Sequence, residues 1–459
     1  MLQALWTLLK LLVIAGIVIF LMEQDGVLSI EWEDYVISIH LGIALVSILL
    51  FLTILLFFHK IVFHLFAMPE IFRSYWQEKS LRKSHLSLTK SLVALAAGDH
   101  KHAAYHAYRA QKLLPDQYDS GVAIFLEAQA ARFLGQHERA TKKFNDLLEN
   151  RESAFLGIRG LMQTEIENKN PERALEMAYS ADRLHPKQPW ILKTIYDLEI
   201  QTYKWNIVLS TLKKLEKLKA IPREDIKSDR KTIYVMLADQ ALGKEDIATA
   251  KTYLKKALSI DAGFIPASTR LIRIAIEADQ TRKARVLTER TWKISPHPDL
   301  IKFWDLLAPE NTPSKPTARL AWYQRLIEIN PNAVEGQLAV AQIALDDGLW
   351  GEARTYISKA EQLDNHTGVF LAWAELERLS TRNEEAVLAW MKKAQKAKQG
   401  KRWVCQNTNH IYDAWFAIAE PYGFFNTIEW SYPNKRNKTQ EKALLSSQKD
   451  EDLLLSSPS

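Results

Sequence analysis

Residues 87–116 read SLTKSLVALAAGDHKHAAYHAYRAQKLLPD, and this stretch decides the fold. Its apolar and small residues recur at helical spacing on either side of Gly98, so it reads as two helices joined by a tight turn. Ala103 stands five positions after Gly98, and Pro115 ends the second helix twelve positions after Ala103.

The arrangement returns down the chain. A small residue recurs at Ala103, Ala140, Ala174, Ala250, Ala284, Ala353 and Ala386, with Val208 and Arg319 in the same place in weaker copies. Successive steps are 37, 34, 34, 42, 34, 35, 34 and 33 residues. A period near 34 is that of the tetratricopeptide (TPR) repeat, a helix–turn–helix unit. Gly135 and Gly348 precede their anchors by five positions, as Gly98 does, and Pro186, Pro296 and Pro331 end helices twelve positions after theirs. The anchor is small because the two helices of a unit cross closely there. An irregular alanine-rich bundle is the alternative, and nine copies near one spacing argue against it. The 42-residue step predicts an inserted loop around Ile221 to Asp229, where Pro222 breaks the pattern.

Working outward toward the N-terminus, Leu41 to Phe58 (LGIALVSILLFLTILLFF) holds no charge and predicts a membrane helix over about 41–66. A second apolar run, Ala4 to Met22, is interrupted only by Lys10, near enough to the end for its stem to reach the headgroups. Residues 23–40 between them carry Glu23, Asp25, Glu31, Glu33 and Asp34 and no Lys or Arg. Beyond the second run come Lys60, Arg73, Lys79, Arg82, Lys83 and Lys90 against Glu70 and Glu78. The positive-inside rule then puts the 23–40 loop in the periplasm and the array in the cytoplasm, as a multi-pass protein of a bacterial inner membrane. A cleaved signal peptide is the rival for the first run, but MEQDG offers no small-residue cleavage pattern. The loop alternates Leu28, Ile30 and Trp32 with polar residues and resumes at Tyr35, Ile37 and Ile39, which predicts a hairpin on the membrane surface.

The expected fold is therefore all-α: two transmembrane helices (about 4–22 and 41–66), then a TPR solenoid, with a small aromatic β-containing lobe after it. The expected divisions are an anchor at 1–66, a basic juxtamembrane helix or linker at 67–86, the array at 87–398, the lobe at 399–432 and a disordered tail at 433–459. One cysteine among 459 residues excludes intramolecular disulfides and multi-cysteine metal sites. A net charge of +6, with no dense basic patch interleaved with aromatics, argues against nucleic acid as a partner. The basic run from Lys79 to Lys90 suits anionic lipid, at about 1 kcal/mol per nearby charge.

The layout resembles the HemY family of proteobacterial inner-membrane proteins. The resemblance is carried by the opening MLQALWTLLKLLVIAGIVIFLMEQDGVLSIEW with Gly26, Leu28, Ile30 and Trp32, and by the 87–116 junction, above all Leu92 to Asp99 (LVALAAGD). It spans roughly the first 135 residues, and the repeats supply the rest. It implies an association with late haem or porphyrin synthesis rather than a defined reaction. The chain does not resemble the flavin-dependent protoporphyrinogen oxidase, which needs a GxGxxG after an early strand.

Candidate chemistry is sparse. No phosphate-cradling loop, nucleophile elbow or HExxH occurs, so no catalytic residue is expected and the protein is not expected to be an enzyme. His102 and His106, beside His100, share one helical face and are candidate haem or metal ligands, without a third ligand or a CxxCH nearby. The plainer account makes them exposed polar residues flanking Ala103 and Ala107. Residues 401–432 (KRWVCQNTNHIYDAWFAIAEPYGFFNTIEWSY) leave the helical pattern for a β-containing lobe. Some relatives look as though they carry paired cysteines there. Here Cys405, Thr408, Ala419 and Tyr422 occupy such positions, and one thiolate makes no zinc site. The lobe is expected to cap the open end of the array, with a partner-binding knob as the alternative. The expected function is a membrane-tethered scaffold that binds proteins, including enzymes of late porphyrin and haem synthesis. A haem or porphyrin carrier and an adaptor for envelope assembly are the alternatives.

Overall fold

The structure, a computed structural model, describes residues 12–433 except 21, 24–25, 33–34, 115–117, 119 and 316, with backbone alone over 63–74. Residues 4–11 of the first expected crossing, the Glu33-Asp34 turn, Pro115 and the tail from 434 lie outside the described residues. The chain divides into two compact units, 1–143 and 144–459.

In the first unit, strands Val27–Trp32 and Tyr35–His40 form an antiparallel hairpin that pairs Leu28 with Ile39, Ile30 with Ile37 and Trp32 with Tyr35. The alternation thus puts one apolar set on one face. The Leu41 amide donates to the Gly26 carbonyl at 2.6 Å, so the hairpin passes directly into the next helix. That helix runs unbroken from Leu41 to Ala96, 56 residues. Its Leu41–Val62 segment has a mean hydropathy of 2.9 and is long and apolar enough to cross a membrane. It is one such helix among the described residues, where two were expected; of the first expected crossing, residues 12–20 are described and are helical.

The expected divisions at 66 and 86 do not appear. The end of the long helix is the first helix of the first pair, and serines make that packing possible. Ser80, Ser84 and Ser91 donate to the carbonyls of Leu113, Ala110 and Ala103 at 2.6, 2.8 and 2.9 Å. A hydroxyl is small enough for the backbones to approach, and the carbonyl satisfies it where it is buried.

Among the described residues, nine second helices follow turns: His100–Leu113, His137–Asp146, Pro171–Leu184, Trp205–Lys217, Ile247–Ile260, Thr281–Ile294, Ala318–Ile329, Trp350–Leu363 and Glu384–Lys396. Each of the nine anchors falls on one of them. Seven turns share one conformation five residues before the anchor: a positive φ at Gly98, Gly135, Lys169, Tyr203, Glu245, Asp279 and Gly348, between 56° and 76°. Each closes its first helix with the same bond pair, such as Gly98 N to Leu95 O and Asp99 N to Ala94 O. That is the Schellman closure, which satisfies orphan carbonyls at a helix end. The chain therefore folds as a TPR-type array of helix pairs. Ala103, Ala140, Ala174, Val208, Ala250, Ala284 and Ala353 are fully buried. Arg319 and Ala386 are half-buried.

In the second unit Gly160 lets two helices approach closely: a Cβ there would lie 2.1 Å from the Phe144 ring. The segment expected to be a loop at 221–229 is instead the start of a twenty-residue first helix, Arg223–Leu242, with Pro222 at its N-cap. Proline fits before a helix, and Glu224 and Asp225 suit the positive end of its dipole. After the ninth pair the lobe forms a three-stranded sheet in the order Ile411–Tyr412, Arg402–Cys405, Ile428–Ser431, and a small ribbon of Ile418–Ala419 with Phe424–Phe425.

Candidate binding surface

The lobe does not cap the end of the array. It lies along the first helices of the fourth to seventh pairs, Pro189–Gln201, Arg223–Leu242, Ile265–Glu277 and Pro298–Leu306. The residues that lengthen the fifth pair hold it there. Thr232 Oγ1 donates to Asn426 Oδ1 at 2.7 Å, and Asn426 Nδ2 donates to Ser228 Oγ and Asp229 Oδ1, each at 2.9 Å. Tyr196 completes the set by donating its hydroxyl to Asp229 Oδ2 at 2.9 Å. Burial pushes the Asp229 carboxyl above the ordinary carboxylate range, against the bonds from Asn426 and Tyr196. The neighbouring Phe425 ring sits 6.5 Å from Tyr196 and 5.9 Å from Trp205, centroid to centroid.

A cleft of about 920 Å³ remains between lobe and array. Trp403, Ala414 and Trp415 of the lobe form one wall. Across it, Arg270 makes a two-pronged pair with Asp239 at 2.6 and 2.8 Å, and its guanidinium faces the Trp415 ring at 5.6 Å. The floor is apolar (Leu242, Ile247, Ile265, Pro266) and Glu245 and Glu277 line it with Arg273. The cleft thus sets an apolar floor beside charged side chains of both signs.

His297 packs under the lobe on the seventh pair. Its Nδ1 accepts from the Asp299 amide at 3.1 Å as the N-cap of the Pro298–Leu306 helix, which leaves the proton of the neutral ring on Nε2. The ring lies 5.0 Å from Trp403 and 4.1 Å from Trp430. Burial pushes the imidazole down to about 4, with Asp299 opposing and Lys302 assisting. At the near end, Tyr432 donates to Asp364 at 2.6 Å and Lys398 pairs with the same carboxylate, fastening the lobe to the last two pairs.

The three candidate histidines of the first unit each have a partner of their own. His102 is exposed and bonds Asp99 at 2.7 Å, strengthening the helix cap. His100 stacks on Phe133 at 4.7 Å, and His106 lies edge-on to Tyr105 at 5.2 Å. Burial first, then Lys90, lowers the His106 pKa. Among the described residues no group of three or more His, Cys, Asp or Glu is placed to hold a metal ion. In the lobe, Cys405 is fully buried, with Thr427 Oγ1 3.3 Å from its sulfur. Burial pushes this thiol up, but hydrogen bonds led by Thr408 outweigh it and leave it below its ordinary value. Ala419 accepts from the Tyr422 amide at 2.9 Å. The lobe's seat was missed by sequence reasoning; its only trace was the 42-residue step.

Residues 26–135 match the family described as HemY protein N-terminus. The probable magnetosome protein Mms48 of Magnetospirillum gryphiswaldense is 27% identical over 217 residues, 46% of this chain and 46% of that protein. The chain thus spans about half the length of the curated relative it matches. Two TPR structures are also similar. YrrB, described as having an unusual peptide-binding site, is 13% identical over 39% of this chain and 88% of its own (TM-score 0.26). MamA 41-end from Desulfovibrio magneticus RS-1 is 16% identical over 40% and 97% (TM-score 0.27). At these scores the repeat assignment rests on the shared turns and anchors of the chain itself.

Proposed function

From a chain that carries a HemY-type N-terminal region ahead of a TPR-type array, we propose a membrane-tethered, non-enzymatic scaffold that binds protein partners at the cytoplasmic face of a bacterial inner membrane. The observation that carries this is the single Leu41–Ala96 helix, which is both the apolar span and the first helix of the array. With no linker between them, a partner on the first pair is held within a few nanometres of the bilayer. Tethering makes encounters between such partners effectively intramolecular, which raises their local concentration without new contacts. Stacked helix pairs provide extended surfaces suited to this role. The acidic 23–40 loop and the basic residues after the span support the orientation. The HemY-type region supports partners among the enzymes of late haem and porphyrin synthesis.

The test is crosslinking in intact cells from photoreactive residues at exposed array positions such as Tyr105 and Tyr108, with identification of the captured proteins. Cytoplasmic or membrane-bound haem-synthesis enzymes are expected. Recovery of envelope-assembly factors alone would replace this reading by the adaptor one. Capture of periplasmic proteins alone, or of no protein, would overturn it.

A further inference from the structure

The Asn426 side chain is read at both ends. Its carbonyl oxygen accepts from Thr232, and its amide nitrogen donates to Ser228 and Asp229. Only a side-chain amide meets both demands: an ionised carboxylate would face the Asp229 carboxylate, and a hydrocarbon would leave buried polar groups unpaired. One residue earlier, the Phe425 ring meets Tyr196 and Trp205. Asn426 also has φ 56°, a left-handed turn that asparagine, aspartate and glycine all tolerate. The turn alone therefore does not explain the three bonds.

The seat is selective, while the rest of the lobe–array interface is incompletely filled. His297 Nε2 and Trp430 Nε1 are buried there with no hydrogen-bond partner, and the 920 Å³ cleft separates Trp403 and Trp415 of the lobe from the array. The walls that read Asn426 lie 194–198 residues away along the chain. They belong to the first helix that is longer than the 13 or 14 residues of most others in the array.

We infer that this amide-and-ring pocket is a recognition site for a polypeptide segment carrying an aromatic residue followed directly by asparagine, and that the chain's own lobe is its resident occupant. A partner segment enters by displacing Phe425 and Asn426. The inference rests on the protein-binding function proposed above and names the partner chemistry at one place on the array.

The test uses the full chain in detergent and a fluorescent peptide of residues 423–430, GFFNTIEW, read by anisotropy. Asn426→Asp keeps the turn but sets two carboxylates against each other, and so vacates the pocket. This variant is expected to bind the peptide at least roughly tenfold more tightly than the wild type. Adding Thr232→Val should return the affinity to the wild-type level, and a peptide with aspartate for its asparagine should not bind. Equal binding by wild type and Asn426→Asp, or binding indifferent to the peptide's asparagine or to Thr232→Val, overturns the inference. If Asn426→Asp loses its helical circular dichroism, Phe425→Ala vacates the ring site and carries the same expectations. Cellular partners captured without peptide binding would sink this inference alone. Peptide binding without cellular partners would sink the scaffold.

Discussion

Inside the sixth pair, Ile265–Glu277 and Thr281–Ile294 are held by apolar contacts, with Ile272, Ala284 and Trp292 fully buried. Between lobe and array, ring contacts such as Phe425 on Trp205 and Trp403 on His297 are joined by polar bonds that link residues nearly two hundred positions apart. The two regions teach different things about what can open. Removing an apolar side chain from a pair leaves a cavity that neighbouring helices cannot fill, because each is pinned by the next. Removing a polar contact from the lobe exchanges protein hydrogen bonds for water at modest net cost. The pairs of the second unit should therefore resist change, while the lobe should let go first.

The strongest test of that contrast is Trp292→Ala. The ring is fully buried, its indole donates to the Leu326 carbonyl at 2.9 Å, and Gly336 leaves room for it in the eighth pair. Truncation should cost about 3–5 kcal/mol, read as a lowered urea midpoint of the helical circular dichroism. A cost below roughly 1 kcal/mol would mean that the pairs are no more tightly held than the lobe.

Acid should release the lobe ahead of the array. The His297 pKa is depressed to about 4 in the folded chain, below its ordinary 6.5. A depressed histidine contributes stability that is whole above 6.5 and is lost as pH falls from 6.5 toward 4, because the unfolded state binds the proton first. The shift corresponds to roughly 3 kcal/mol at most. The charged groups near the ring are Asp299 and Lys302; Trp403 and Trp430, packed on it from the lobe, do not titrate. Hydrogen exchange at pH 7.5 and 4.5 should show lobe amides losing protection while those of the sixth pair keep it. His297→Asn preserves a capping acceptor and should remove most of the difference. Equal loss in both regions would break the comparison.

The array was legible because its contacts are local and recur. Ala103 to Ala353 mark second helices whose burial needs only a small residue at a fixed offset from a turn. The turn itself was legible only where it holds glycine. Lys169, Tyr203, Glu245 and Asp279 adopt the same left-handed conformation, and nothing about those side chains announces it. Pro222 suggested a break because proline ends helices, but it also begins them. The continuity of Leu41–Ala96 was hidden because the basic residues after the span suit a juxtamembrane helix and a linker alike, while Ser80, Ser84 and Ser91 did the packing. The lobe's β character was visible in its aromatic alternation. Its seat was not, since side-chain bonds between residues 228–232 and 426 leave no periodic trace.

The seventh pair refines the contrast from within the array. Arg319 stands at its anchor, half-buried, and bonds Asp305 at 2.7 Å, while Tyr323 donates to the same oxygen at 2.6 Å. These helices cannot meet through a small residue. Instead Trp304 and Trp322 stack at 4.3 Å and each indole donates to the other's carbonyl, at 3.1 and 3.0 Å. The first helix is correspondingly short, nine residues. If that tryptophan pair has taken over the work of the anchor, Arg319→Ala should change stability by less than about 1 kcal/mol, as for other ion pairs this exposed. The alanine would restore the repeat's residue without restoring its close crossing, because the helices are already spaced by the rings. A urea midpoint shifted upward by more than that would show the crossing had been waiting for a small residue. A shift downward by more would make the Arg319–Asp305 pair, rather than the tryptophans, what joins the seventh pair, and a polar contact would then hold part of the array much as it holds the lobe.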